Sequence, residues 1–348
     1  MNHLLRDAYA VLLPAFSSLE LEPEVVHFLQ QGGVSLLIGE SRAEYLARAM
    51  SPERMNAESE KAFDELISTA RRHAKSDLLI AVDQELSGIQ RLHHLVPPLP
   101  SVVEAKSLDS FEIYKRAVAT ATAARKLGVN LFLSPIADVV SGPNPWLDGR
   151  NLGPDSVEVS RIACAFTKGI QDAGVVATGK HFPGHPITPL DPAIEEAVVE
   201  CTIEDLTPSI SVFKDLIASG IEAIMTGPAL VPAVDSAHPS STSLTTVNML
   251  KNGLGFNGLV ISDDLDAAGI LRGGDLTSTA IAALNAGAEL LLVSSHAGLT
   301  NLAESIANAV IEGQLSEQKL NTAATKVRNL AMKLRLNPED DVLIPYQR

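Results

Sequence analysis

Short apolar runs alternate with longer amphipathic stretches along the chain. Seven short runs predict β-strands at 34–38, 78–82, 131–133, 175–178, 223–226, 259–262 and 290–293, and 9–13 is an eighth candidate. The longer stretches have helical spacing and predict helices at 43–50, 60–74, 111–127, 157–172, 203–218, 247–252, 278–286, 299–312 and 316–334. Strands that alternate with helices form a parallel sheet, and this number favours an α/β fold of the closed (β/α)8 TIM-barrel type.

Residues at the predicted helix ends support this division. Glycine recurs where a helix gives way to a strand, which is where a left-handed helix cap is expected. Serine or threonine precedes three of the helices and is predicted to cap them. The glycines are Gly128, Gly174, Gly220 and Gly287, and the predicted caps are Ser110, Ser156 and Thr202.

Composition limits both the domain count and the partners. Hydrophobic residues make up 46% of the chain and charged residues 20%, and no linker rich in proline, glycine or serine divides it, so we expect one domain over 1–348. No Gly-x-Gly-x-x-Gly follows the first strand, which argues against a dinucleotide-binding fold. The net charge of −15 argues against a nucleic-acid partner, because phosphate binding requires a basic surface.

The expected location is the cytoplasm. Cys164 and Cys201 are too few for a disulfide framework. The first residues lack the basic segment and apolar run of a signal peptide. No apolar stretch approaches the roughly 20 residues that span a bilayer, so we also expect no membrane partner.

Charged residues collect where the predicted strands end, and in a barrel these ends form the active site. Carboxylates accept hydrogen bonds from sugar hydroxyls, whereas arginine and lysine donate to them. An aspartate kept ionised among cations is also a good nucleophile toward an anomeric carbon. The set therefore indicates a site for a neutral polyol, built from Asp83 and Glu85, Asp138, Arg150, Lys180 and His181, and Asp263 and Asp264.

Simpler interpretations exist for several of these residues. A charge at a strand end can be a solvated loop residue, but Asp263 directly follows the predicted strand at 259–262 and is expected to be half-buried, with Asp264 as its partner or a helix cap. His181 and His185 are four residues apart, but Pro183 and Gly184 between them prevent a helical pair and argue against a zinc site. A tryptophan in the long third loop, Trp146, either stacks on a sugar or covers the barrel mouth.

Four motifs resemble those of glycoside hydrolase family 3, and they occur in the family's order from about Gly32 to the C-terminal helix. Within the family the chain resembles the single-domain bacterial β-N-acetylhexosaminidases of peptidoglycan recycling. The motifs are Lys180-His181-Phe182-Pro183-Gly184-His185, Ser262-Asp263-Asp264-Leu265, Val82-Asp83-Gln84-Glu85 with Gln90-Arg91-Leu92, and Ser134-Pro135-Ile136-Ala137-Asp138.

This resemblance implies a barrel, a retaining double displacement on a β-linked sugar, and no metal or organic cofactor. By position, Asp263 would be the nucleophile. Asp83, Arg150, Lys180 and His181 would hold the hydroxyls of the sugar in the −1 subsite. N-acetylglucosamine is the default sugar.

The chain departs from the family in three loops. After the Lys-His-Phe-Pro-Gly-His string the family continues Gly-x-x-x-x-Asp-Ser-His, whose histidine is the general acid/base; here Asp191 is kept, but Pro192 and Ala193 replace the serine and the histidine. Prolines at 186, 189 and 192 also stiffen a loop that moves in the family. Where the family has Met-x-x-His, residues 225–228 of this chain read Met-Thr-Gly-Pro. Where the family has Glu-Gly-Gly, residues 85–88 read Glu-Leu-Ser-Gly.

Alanine cannot transfer a proton, and losing general acid assistance typically costs about 10²–10⁴-fold. Asp191, Glu195 or Glu196 could protonate the leaving oxygen instead, or the substrate could carry a good leaving group. We favour a glycoside hydrolase with a weakened or non-standard acid/base, and Asp191 as its candidate. The alternatives are a catalytically silent sugar-binding or regulatory relative and, more remotely, an aldolase with Lys180 as a Schiff base.

Overall fold

The computed structural model describes residues 3–335, so the ends of the predicted 1–348 unit (1–2 and 336–348) lie outside the described residues. The described strands are β1 Leu12–Phe16, β2 Ser35–Ile38, β3 Leu79–Val82, β4 Leu131–Phe132, β5 Val176–Phe182, β6 Ala223–Thr226, β7 Leu230–Val231, β8 Asp235–Pro239, β9 Leu259–Ile261 and β10 Leu291–Ser294. Eight of them pair in parallel in the order β10-β1-β2-β3-β4-β5-β6-β9. A parallel bridge between Ile261 and Leu290 joins the two ends of this order, so the predicted barrel is confirmed.

Helices connect the strands and cover the outside of the barrel. The residues of the eight barrel strands are buried almost throughout, because helices cover one face and the barrel interior the other. The described helices are α1 His3–Ala10, α2 Pro23–Gln31, α3 Arg42–Ala47, α4 Pro52–Ala57, α5 Glu60–His73, α6 Val102–Ser107, α7 Ser110–Lys126, α8 Ser156–Asp172, α9 Ile203–Ala218, α10 Leu244–Asn248, α11 Ala268–Leu271, α12 Leu276–Ala286, α13 Leu299–Ile311 and α14 Glu317–Lys333.

The eighth predicted strand is displaced by three residues. The structure has β1 at Leu12–Phe16, whereas Tyr9 and Ala10 end α1. The residues from Ala8 to Leu13 are all buried, so no polar position marks where the helix stops and the strand begins. Hydrophobic periodicity alone cannot divide such a run.

Two of the three predicted helix caps are wrong. Ser110 and Ser156 lie inside their helices, because the residues before them, Asp109 and Asp155, accept the capping hydrogen bonds instead. Thr202 is confirmed as a cap, in a reciprocal capping box with Asp205. All four predicted cap glycines have positive φ.

Two segments after β6 were not anticipated. The antiparallel hairpin of β7 and β8 follows the sixth barrel strand. The helix predicted at 247–252 is instead the end of α10 continued by a π-helical turn, Met249–Gly253. Short elements of this kind carry little periodic signal.

Candidate active site

A cavity of about 570 Å³ opens at the carboxyl ends of the barrel strands. The structure brings six of the predicted site residues to its wall: Asp83 after β3, Arg150 in the loop after β4, Lys180 and His181 at the end of β5, and Asp263 and Asp264 after β9. Their distances and partners determine what the cavity can bind.

Glu85 is the centre of a buried ion-pair cluster beneath this cavity. Lys180 Nζ lies 2.6 Å from Asp83 Oδ1 and 2.8 Å from Glu85 Oε1. Arg150 donates from Nε and Nη2 to the two oxygens of Glu85, at 3.1 and 2.7 Å. Burial alone would raise the pKa of Glu85, but the charges of Arg150 and Lys180 hold it below its usual value. The cluster is therefore ionised.

The charge of Lys180 bears on the aldolase alternative. Burial acts to lower its pKa, but the carboxylates of Asp83 and Glu85 raise it above the usual value. A Schiff base forms from an unprotonated amine, and lysines that do this chemistry have a lowered pKa. The electrostatics of the site therefore disfavour a Schiff-base role.

We expect Glu85→Gln to destabilise the fold by about 3–5 kcal/mol, because it leaves two buried cations with one carboxylate between them. The free energy of unfolding in urea checks this. The matched control is Glu65→Gln, which removes one partner of the exposed Lys61–Glu65 pair and should cost less than about 1 kcal/mol. Equal effects of the two variants would contradict the prediction.

Arg150 retains one donor for a ligand. Its Nη1 is buried and has no hydrogen-bond partner among the described residues. The guanidinium carbon lies 5.7 Å from the ring centroid of Trp146, which also packs on His181 with ring centroids 4.4 Å apart. Trp146 is 3% exposed and lines the cavity, so it forms part of the wall that orients Arg150 and His181.

Two histidines converge on Asp138, a residue to which the sequence analysis assigned no separate role. Nδ1 of His181 and Nδ1 of His185 each lie 2.9 Å from a different oxygen of Asp138. Burial would raise the pKa of Asp138, but the hydrogen bonds from His181 and His185 hold it below the usual range. An ionised carboxylate only accepts, so both Nδ1 atoms carry hydrogens.

The hydrogen bond to Asp138 and the burial of the ring determine the protonation state and the tautomer of His181. Burial lowers its pKa, against the opposing charge of Asp138, so the ring is neutral near pH 7. With Nδ1 protonated, Nε2 is an acceptor, and it lies 3.9 Å from Asp263 Oδ2. That gap is too wide for a direct hydrogen bond, so Nε2 is available to a sugar hydroxyl.

The Asp138, His181 and His185 side chains also offer ligand atoms within 4.8 Å of one another. As predicted, the two histidines do not share a helix, but they converge on Asp138, which their spacing in the sequence did not indicate. Both rings donate to Asp138, and these hydrogen bonds account for the cluster. Gly227 gives His185 its space, because a Cβ there would overlap the imidazole.

Asp263 lines the cavity, and one of its carboxylate oxygens has no hydrogen-bond partner among the described residues. Its Oδ1 accepts from the backbone N–H of Asp264 at 2.8 Å, and its own N–H donates to Ser241 Oγ at 3.0 Å. Oδ2 is buried and has no hydrogen-bond partner among residues 3–335. Asp264 differs, because burial and the charge of Asp266 raise its pKa to about 7.

The loop after β5 brings the altered acid/base segment to the rim. Ala193 lines the cavity. Oδ1 of Asp191 accepts from the N–H of Ala193 at 2.9 Å and from the hydroxyl of Tyr45 at 3.4 Å. The other two candidate acids, Glu195 and Glu196, are both exposed. Glu196 lies 3.6 Å from Arg272. Asp191 is thus the candidate held directly beside the position of the missing histidine.

Backbone hydrogen bonds fasten this loop to its neighbours. The carbonyl of Pro186 accepts from the N–H groups of residues 141 and 142, both at 3.1 Å, and Thr188 N–H donates to the carbonyl of Pro143 at 2.9 Å. Further along, Gly269 N–H donates to the carbonyl of Pro192 at 2.8 Å. The loop is therefore attached on both sides of Asp191.

Glu40 is a cavity residue that the sequence analysis missed. It follows β2 and Gly39 and lines the same cavity as Asp83 and Asp263. A single glutamate after a glycine has no motif around it, so the sequence offered no signal beyond its place at a strand end.

No helix among residues 3–335 combines the length and apolar character that a bilayer crossing requires.

Comparison with known proteins agrees with this geometry. Residues 13–330 match the family described as glycosyl hydrolase family 3 N terminal domain. Proteins named β-hexosaminidase from Tolumonas auensis and Methylococcus capsulatus are 29% and 32% identical to the chain; the aligned regions cover 80% and 64% of this chain and 86% and 68% of theirs.

A solved family 3 β-N-acetylglucosaminidase from Paenibacillus sp. str. FPU-7 superposes with a TM-score of 0.85 at 25% identity. The superposition covers 99% of this chain and 66% of that protein. The chain belongs to glycosyl hydrolase family 3, and this membership makes it a β-glycoside hydrolase related to the β-hexosaminidases.

Proposed function

We propose that this protein is a retaining β-glycosidase of the N-acetylhexosaminidase type in which Asp263 is the nucleophile. The free, buried Oδ2 of Asp263 at the wall of the cavity is the observation that carries the proposal. In the first step Oδ2 bonds to C1 of the sugar while the bond from C1 to the aglycone oxygen breaks. In the second, water breaks the new ester and restores the configuration at C1.

Four residues are suited to holding the sugar. Nη1 of Arg150 is a donor without a partner, and Nε2 of His181 is an acceptor. Asp83 and Lys180, 2.6 Å apart, offer an acceptor and a donor at one point. Such mixed donors and acceptors match hydroxyl groups, which both donate and accept.

The leaving oxygen must gain a proton, and Asp191 is the candidate acid/base. Its hydrogen bond to the N–H of Ala193 holds it beside a residue that lines the cavity. It also accepts from Tyr45 and does not itself line the cavity. We therefore expect weak acid assistance, and hydrolysis that depends strongly on the acidity of the leaving group.

N-acetylglucosamine is the proposed sugar, because the Paenibacillus relative is named a β-N-acetylglucosaminidase. A small glycoside is the expected partner, since the cavity is small and the chain carries a net charge of −15, unsuited to nucleic acid. The free thiols of Cys164 and Cys201 suit a reducing compartment, and we propose the cytoplasm.

Trapping the covalent intermediate tests this proposal. Wild-type protein is first assayed on a panel of aryl β-glycosides, with the aryl group varied from 2,4-dinitrophenyl to phenyl. A slow-reacting fluorinated glycoside of the best sugar is then added, and the digested protein is examined by mass spectrometry. We expect the adduct on the peptide that contains Asp263, and a rate that falls steeply from dinitrophenyl to phenyl.

An adduct on another carboxylate would overturn the assignment of the nucleophile. Sugar binding by calorimetry without hydrolysis of any glycoside would favour the silent sugar-binding alternative, which the alanine at position 193 motivates.

A further inference from the structure

Glu40 is a cavity carboxylate that neither the ion-pair cluster nor the proposed chemistry uses. It lies between Gly39 and the capping serine of α3, on the wall that also carries Asp83 and Lys180. Its Oε2 is buried and has no hydrogen-bond partner within the described part of the chain. A buried polar atom without a partner is costly, so a ligand that supplies one gains affinity.

The charges around Glu40 leave it without a counter-ion. Lys180 contacts both Asp83 and Glu85, and Arg150 is engaged with Glu85. Two cations therefore face three carboxylates when Glu40 is included. Behind the site, Arg91 donates to the carbonyl of Gly39 but is already paired with Glu58 at 2.7 Å, so it adds no free charge.

Other titratable groups also face this cavity. They are His181 on β5, Asp263 and Asp264 after β9, His296 after β10, and Arg42 and Tyr45 in the loop and helix that follow Glu40. Burial raises the pKa of Glu40, and the negative charge of the Asp83 carboxylate raises it further, to about 7. Near neutral pH, Glu40 is thus divided between its protonated and ionised forms.

We propose that Glu40 is a specificity-determining sugar ligand that works in its protonated form, donating its carboxyl hydrogen to an oxygen of the sugar on the side held by Asp83. This inference rests on the proposed function. The substrate class it selects is a neutral sugar with an acceptor oxygen at that point. A sugar carrying a carboxylate or phosphate there would face the negative charge of Asp83 and be rejected.

The position of Glu40 distinguishes this role from proton transfer to the leaving group. Glu40 follows β2, which pairs with β3, the strand that precedes Asp83. The nucleophile, Asp263, follows β9, which is separated from β2 by β10 and β1. Glu40 is thus placed on the side of Asp83, where the body of the sugar is held, and away from the bond that breaks.

Two substitutions test the proposal. Glutamine at position 40 keeps a hydrogen donor of the same shape at every pH, whereas alanine removes it. KM and kcat are measured from about pH 5.5 to pH 9 on the best aryl glycoside for wild type, Glu40→Gln and Glu40→Ala. The dissociation constant for N-acetylglucosamine is measured by calorimetry over the same range.

We expect the wild-type KM to be constant at low pH and to rise about tenfold per pH unit above about 7, as the protonated form is lost. Glu40→Gln should keep the low KM and abolish this rise, which excludes His181 and Asp264 as its source. Glu40→Ala should raise KM at low pH by about tenfold, the usual effect of one hydrogen bond. The kcat values should stay within about threefold, because the contact is made equally before and during reaction.

A fall in kcat of a hundredfold or more in Glu40→Gln, with KM unchanged, would overturn the proposal and make Glu40 a proton donor to the leaving group. A wild-type KM or dissociation constant that is flat across pH 7 would also overturn it. One further outcome separates the two proposals. If no glycoside is hydrolysed, but the affinity measured by calorimetry falls above pH 7 in wild type and not in Glu40→Gln, the role of Glu40 as a sugar ligand stands and only the proposed hydrolysis fails. The absence of binding would overturn both.

Discussion

Asp263→Asn is expected to lower kcat/KM by at least about a thousandfold on every glycoside that the wild-type protein hydrolyses. The amide nitrogen cannot attack C1, and the amide oxygen is a far weaker nucleophile than a carboxylate oxygen. Folding should be preserved, because the substitution keeps the shape of the side chain and Oδ1 can still accept from Asp264. Initial rates with a 2,4-dinitrophenyl glycoside check this, since that leaving group needs no acid.

The control for this variant is Asp155→Asn, which changes an exposed helix-capping residue into another good cap. It should leave both activity and the melting temperature unchanged. More than a tenth of wild-type activity in Asp263→Asn, in protein free of wild type, would contradict the assignment of the nucleophile.

The double substitution Pro192→Ser with Ala193→His is expected to raise kcat/KM on phenyl glycosides by about 10²–10⁴-fold, the usual contribution of a general acid. Residue 193 lines the cavity, so an imidazole there would extend toward the substrate. Asp191 already contacts the backbone at this residue and could orient the ring. Rates on 2,4-dinitrophenyl glycosides should change little, because that leaving group departs without a proton.

Adding Asp191→Asn to the double variant tests how much of the gain in kcat/KM depends on the carboxylate of Asp191 and how much on the introduced histidine alone. We expect most of the improvement to disappear, since the ring then loses the carboxylate that would orient it and stabilise its charge. If the ratio of phenyl to dinitrophenyl rates is unchanged in the double variant, the missing histidine does not limit the rate of hydrolysis.

The sequence was sufficient to predict the barrel and most charged residues of the cavity wall, for a local reason. Asp83, Lys180 and Asp263 each stand at the end of an apolar run, so one rule about parallel strands places all three at the same end of the barrel. Apart from the first strand, the strand bounds were accurate to within one residue, except that β5 continues to Phe182, four residues beyond its predicted end. The first strand was displaced because no polar residue separates it from α1.

Other properties of the site depend on contacts between distant segments. Glu40 looks like an ordinary loop residue in the sequence, and only the fold reveals that nearby cations are already engaged with other acids. The pairing of both histidines with Asp138 joins residues more than forty positions apart. No local pattern encodes such a pairing, because Asp138 lies in a different segment from the two histidines and the pairing depends on side-chain direction.

The attachment of the loop after β5 has a consequence for turnover. Hydrogen bonds to residues 141–143 on one side and to Gly269 on the other attach the loop at two points along its length. We therefore expect this segment to keep its place while substrate and product exchange.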